Sequence, residues 1–139
     1  MKLALNDKVV RLQEEMLKYP QVELGTNHYF ADGMYAREVF RPKDCLIVGK
    51  VHKKEHFYIV TKGRIRVTTE DGVKEFAAPS VIFSKPGTKR AVLALEDSVC
   101  MTVHRTMKKS LKNVERELVE DEPSPFGLGN KLKETLCLS

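Results

Sequence analysis

The sequence lacks long apolar runs. No stretch approaches the ~20 apolar residues that a membrane-spanning helix needs. With 31% of 139 residues charged, no membrane partner is expected. The opening stretch, MKLALNDKVVRLQEEM, puts charges where a secretory signal needs an unbroken apolar core, so a cytoplasmic location is expected. Cysteine is scarce as well. Cys45, Cys100 and Cys137 are odd in number, widely spaced and form no Cys-x-x-Cys pair. That pattern argues against a disulfide framework, a zinc ribbon or a thioredoxin-like site, and for reduced thiols. Also missing are a Gly-x-x-x-x-Gly-Lys-Ser/Thr phosphate loop and a Gly-x-Ser-x-Gly nucleophile elbow. The net charge of +5 is spread along the chain with few aromatics interleaved. Its footprint for nucleic acid is faint, so that partner is not expected. The charge by itself suits small acidic molecules as well as nucleic acid and does not choose between them.

What is present is enough for one domain with a real core. Leu5, Val9, Leu12 and Met16 recur at helical spacing behind a possible Asn6 N-cap, and Pro20 stops the pattern. The spacing predicts a helix over Asn6–Tyr19. The period then changes to short strands: Val22–Leu24, His28–Ala31, Met34–Phe40, Cys45–His52, His56–Thr61, Arg64–Thr69, Val73–Ala77, Val81–Ser84, Arg90–Leu95 and Val99–His104. Asp71-Gly72 is the strongest hairpin signal among their turns. Ile65 and Val67 alternate with Arg64 and Arg66, which places the aliphatics inside and the arginines in solvent. Leu111, Val114 and Leu118 predict a second helix over Ser110–Glu120, followed by a breaker-rich linker and the tail KLKETLCLS, mobile or docked on a partner. The expected architecture is all-β, a single barrel or jelly roll over residues 21–106. An N-terminal helix (1–20) precedes it, and a C-terminal helix and tail (107–139) follow.

The stretch Gly49-Lys-Val-His-Lys-Lys-Glu-His-Phe-Tyr-Ile-Val-Thr-Lys-Gly63 holds two histidines four residues apart. If Cys45–His52 pairs with His56–Thr61 across the intervening turn, His52 and His56 end adjacent strands and lean into one barrel mouth. Convergent imidazoles suit zinc, iron, manganese or nickel as a divalent transition metal. His104, on a face with Cys100 and Thr102, is the candidate third ligand, and His28 is a poorer one. Tyr58, in phase with His56, is a candidate proton donor, and Glu55 a candidate general base. The bland alternatives are turn histidines, a half-buried barrel aromatic and a solvated turn carboxylate.

Gly49-x-x-His52, the aromatic strand Phe57-Tyr58-Ile59-Val60, Lys62-Gly63 and Lys85-Pro86-Gly87-Thr88-Lys89-Arg90 resemble the two short motifs of the cupin superfamily. The resemblance covers roughly residues 34–104. In that family the first motif supplies two histidines and a glutamate, and the second motif a further histidine. Here His56 stands in the glutamate's place, Lys50 where a histidine is usual, and Arg90 where the second motif's histidine belongs. The resemblance therefore implies a cupin-like barrel with a rearranged ligand set, His52 and His56 from the first motif with His104 as the candidate third member. Arg90 faces the cavity to hold an anion, or points outward beside Lys89. The chain is also similar to small cupin-like proteins encoded by bacteriophages, which have no settled activity. Small cupins commonly form homodimers, and the apolar faces of the terminal helices offer a surface for one. Three functions follow as expectations. One is a metal-dependent enzyme acting on a small polar or anionic molecule in the barrel mouth. The second is a metal-independent module that sequesters such a ligand, and the third is a structural or assembly scaffold.

Overall fold

The computed structural model describes residues 2–19, 24–119 and 136–138. A first helix, α1 (Lys2–Met16), is followed by nine strands: β1 (Thr26–Ala31), β2 (Met34–Arg41), β3 (Leu46–Val48), β4 (His56–Lys62), β5 (Arg64–Thr69), β6 (Gly72–Ala77), β7 (Ser80–Ser84), β8 (Ala91–Ala94) and β9 (Ser98–Arg105). Helix α2 (Leu111–Leu118) and strand β10 (Leu136–Leu138) complete the order. Two antiparallel sheets result, β1-β2-β9-β4-β7 and β10-β3-β8-β5-β6.

The sheets bury one face each against the other. Tyr58, Val60 and Cys100 from the first sheet meet Ile65, Val67 and Val92 from the second. Strand alternation produces this directly: Ile65 and Val67 are buried while Arg64 and Arg66 are exposed and share Glu75. Gly72 closes the β5–β6 hairpin with φ +104, the conformation for which a glycine was needed.

Several boundaries differ from the sequence reading. Helix α1 starts at Lys2, so Asn6 lies inside it and not at its cap; Leu3, Ala4 and Leu5 are good helix formers and extend it. Val22 lies outside the described residues, and Leu24 is buried but not in a strand. The strand expected over Cys45–His52 is only Leu46–Val48, and it does not pair with β4. Strand β3 pairs with β8 in the other sheet, so the chain from Gly49 to Glu55 is a crossover between sheets and not a hairpin turn. The linker at 121–130 lies outside the described residues, whereas Leu136–Leu138 adds to the edge of β3.

Val9 and Met16 of α1 pack on Val48 and Ala91, while Val114 and Leu118 of α2 pack on Tyr35. Large exposed apolar side chains include Phe57 on β4 and Phe83 and Val81 on β7, with Phe57 paired to Phe83 across the strands. Cys45 is disulfide-bonded and Cys100 is a buried free thiol. The expectation of reduced cysteines throughout is corrected, because spacing along a chain does not report which thiols a fold brings together. Among the described residues no helix is long and apolar enough to cross a membrane.

Candidate metal and anion site

Three histidines converge where the sequence reading placed them, although by a different route. His56 opens β4 and His104 nears the end of β9. These strands pair with Phe57 opposite Val103, so the two histidines flank the next inward step. His52 arrives from the crossover. Its backbone pairs with Val119 in an isolated antiparallel bridge, and its carbonyl accepts from Gly87 N–H at 2.8 Å. Lys53 N–H donates to the Leu118 carbonyl at 2.7 Å, which fixes the loop to the end of α2. Gly49 N–H donates to the Arg90 carbonyl at 3.0 Å, so the two motif segments are joined through their backbones.

The nitrogens that His52, His56 and His104 can offer lie within 4.8 Å of one another. Their ring centroids are 4.4 Å (His52–His56), 4.5 Å (His56–His104) and 5.3 Å (His52–His104) apart. Each ring has one nitrogen engaged elsewhere. His56 Nδ1 sits 3.2 Å from the Lys54 carbonyl, His104 Nε2 sits 2.9 Å from Thr102 Oγ1, and His52 bonds to the Lys50 backbone. The other nitrogen of each ring remains for an ion, the usual outer-shell arrangement of a metal-binding imidazole.

Protonation favours the same reading. Burial first, then the charges of His56, His104 and Arg37, hold His52 well below the ordinary imidazole range. Burial, His56 and Arg37 bring His104 down to about 3, and burial and Arg90 lower His56 against an opposing bond to the Lys54 backbone. All three are neutral at pH 7, the form that binds metal. Tyr35, wholly buried, stacks on His104 and shares a 2.7 Å hydrogen bond with His28 Nδ1. His28 thus supports the site from outside and is not one of its three members.

The cavity beside the histidines has a volume of about 80 Å³. Tyr58 lines it, buried, and burial pushes its phenol well above the usual range, so it stays protonated. Arg90 lines it too, with Nε and Nη1 buried and unpartnered among the described residues. Arg90, in the loop just before β8, lines both this cavity and an outer cleft, and its Nη2 donates to the Phe83 carbonyl at 3.4 Å. Glu55 lies on an exposed turn beside His56 and lines shallow outer clefts, not this cavity.

Arg37 and Arg41 were missed by the sequence reading. Both line the cavity, Arg41 only 6% exposed with its guanidinium 5.8 Å from the Tyr58 ring centroid. The signal was in the sequence: Tyr35-x-Arg37-x-Val39-x-Arg41 puts two arginines in phase with the buried Tyr35 and Val39. Ser84 and Thr88 add buried hydroxyls to the wall.

No family model matches the sequence, and no curated protein does. Solved structures match the fold. A cupin superfamily protein from Desulfitobacterium hafniense superposes with a TM-score of 0.52 at 8% identity, covering 63% of this chain and 81% of that one. A cupin-2 domain protein from Shewanella frigidimarina gives 0.51 at 13% identity, covering 73% of this chain and 99% of the other. An acetylacetone dioxygenase from Acinetobacter johnsonii gives 0.50 at 15% identity, over 63% and 65% of the two chains. At these identities the likeness speaks for fold alone. With two antiparallel sheets closed over an inward-facing histidine cluster, this chain has the cupin fold.

Proposed function

We propose that the protein binds a divalent transition metal on His52, His56 and His104 and holds a small anionic molecule beside it on Arg37, Arg41 and Arg90. One observation carries this reading. The cavity next to three neutral imidazoles is lined by arginines whose buried N–H groups have no partner among the described residues. A buried guanidinium is stabilised only when its donors are met, and carboxylate or phosphate oxygens meet them two at a time.

A metal held by neutral nitrogens supplies Lewis acidity toward an oxygen of a bound molecule. The chain's own residues supply the rest. The arginines orient the anion, protonated Tyr58 is placed to donate a hydrogen bond to it, and the apolar wall of Ile47, Val92 and Val119 limits water. With Tyr58 protonated and Glu55 on the outer turn, neither acts as a base within this cavity, and binding is the better-supported part of the reading.

The test is elemental analysis of untagged protein after exposure to zinc, iron, manganese and nickel, with His52→Ala and His104→Ala alongside. Near-stoichiometric metal in the parent protein, lost in both variants, is expected. No retained metal under any loading condition would overturn the metal half of the proposal.

A further inference from the structure

The histidine cavity is lined by arginines from two elements. Arg37 and Arg41 of β2 and Arg90 before β8 line it, and among the described residues no aspartate or glutamate does. In each arginine, Nε and one terminal nitrogen are buried without a hydrogen-bond partner among the described residues. The ion pairs found among those residues involve other cations, on the surface. The positive fields also overlap the histidines. Arg37 acts on His52 and His104, Arg90 acts on His56, and Arg41 and Arg90 both act on Tyr58. Glu70 reaches Arg90, but from a separate outer cleft.

These facts set two requirements against each other. A dication on three neutral imidazoles would find no carboxylate among the described residues lining the cavity and would face the fixed positive charges of three arginines in a poorly screened space. The same arginines have buried N–H groups that carboxylate or phosphate oxygens can meet two at a time. One small dianion resolves both. The volume of about 80 Å³ is room for about half a dozen waters, and so for a ligand of about six to eight heavy atoms. Four oxygens on such a ligand suit three guanidinium forks.

We propose that Arg37, Arg41 and Arg90 take a small dianion, a dicarboxylate or a phosphate monoester, and that this anion and a divalent metal on the histidines bind cooperatively. The inference rests on the metal-and-anion reading above and adds a charge requirement and a coupling to it. Because linkage is reciprocal, the factor by which the anion tightens the metal is the factor by which the metal tightens the anion.

The experiment is calorimetric titration of the 139-residue protein with Co²⁺ at constant ionic strength, in chloride alone or with acetate, succinate or methyl phosphate, correcting free Co²⁺ for complexation by each anion. Succinate, methyl phosphate or both should tighten Co²⁺ binding about tenfold, inside the range common for coupled sites. Acetate, a monoanion, should have little effect. Which dianion acts identifies the ligand class. Arg37→Gln and Arg90→Gln should bind Co²⁺ alone more tightly than the parent, because a repelling charge is gone, and should lose the dianion effect. A loss of packing would instead weaken both. If Arg37→Gln does not fold, judged by its thermal melt, Arg90→Gln carries the comparison from its half-buried loop position. Co²⁺ binding that is identical with and without dianions overturns the coupling and leaves the metal site standing. No Co²⁺ binding in any buffer overturns the proposed function and this inference with it.

Discussion

His52 and Val119 pair backbone to backbone, across nearly half the chain, and this bridge ties a candidate metal ligand to the end of the C-terminal helix. The crossover carrying His52 belongs to neither sheet, so its position depends on partners outside the strands: Gly87, Leu118 and Val119. Helix α2 is therefore part of the site's construction. Its Ser110 cap accepts from Asn113 N–H, and Val114 and Leu118 seat it on Tyr35.

Leu118→Ala should destabilise the fold by about 2–5 kcal/mol, the usual cost of truncating a fully buried leucine; Leu118 is 1% exposed. Metal affinity should fall as well, since the Leu118 carbonyl and Val119 hold the His52 loop. Urea melts and metal titration of the same sample measure both. Unchanged metal affinity in a destabilised variant would separate the helix from the site.

Arg41→Met should raise the stability of the metal-free protein, by about 1–3 kcal/mol, because replacing a buried charge of similar volume with an apolar side chain removes a desolvation penalty. Arg41 is 6% exposed and two of its nitrogens are unpartnered. The gain should come with loss of anion binding. A buried arginine kept at a cost to stability is the signature of a functional cation, and a destabilised variant would show instead that Arg41 has a structural partner.

Acid should weaken the metal-free fold in a defined window. Unfolded histidines titrate near 6.5, whereas burial and neighbouring positive charge lower His52, His56 and His104, the last to about 3. Below about pH 6.5 the unfolded chain binds protons that the folded chain refuses, so stability falls with pH. Each such histidine contributes up to about 1.4 kcal/mol per pH unit. The contribution is complete above pH 6.5 and declines as pH drops toward 3. Urea midpoints from pH 7.5 to 4 in chelator measure it, and His104→Gln should flatten the slope.

Gly63→Ala should be among the most damaging small changes. Gly63 holds φ +83, and an added Cβ would meet Ser98 Oγ and lie 2.6 Å from the Asp97 carbonyl. The left-handed backbone alone costs about 1–2 kcal/mol in a residue with a side chain, and the clash adds to it. A thermal melt no lower than that of the parent would show that the β4–β5 turn can rearrange.

Much of the barrel was readable before any coordinates. Period-two alternation placed Ile65 and Val67 inside and Arg64 and Arg66 outside, and Asp71-Gly72 marked the hairpin that forms. The same rule placed His56 and Tyr58 on one face, and Cys100, Thr102 and His104 on another, because a strand's faces are fixed by local geometry. Applied to β2, it would also have found Arg37 and Arg41, whose inward phase was legible but whose charge argued for solvent. The failures were non-local. Nothing in Gly49–Glu55 shows that β3 and β4 separate into different sheets, or that Val119 supplies the missing backbone partner for His52.

The sequence by itself determined the all-β pattern, the strand faces and the histidines that could meet, since each depends on residues within a few positions of one another. Tertiary structure alone decided that His52, His56 and His104 do meet. It also decided that arginines from β2 and from the loop before β8 line the same cavity, with no carboxylate among the described residues there. Burial sets the electrostatics of such a site, and burial belongs to the packed molecule, since each charge is desolvated by atoms distant in the chain.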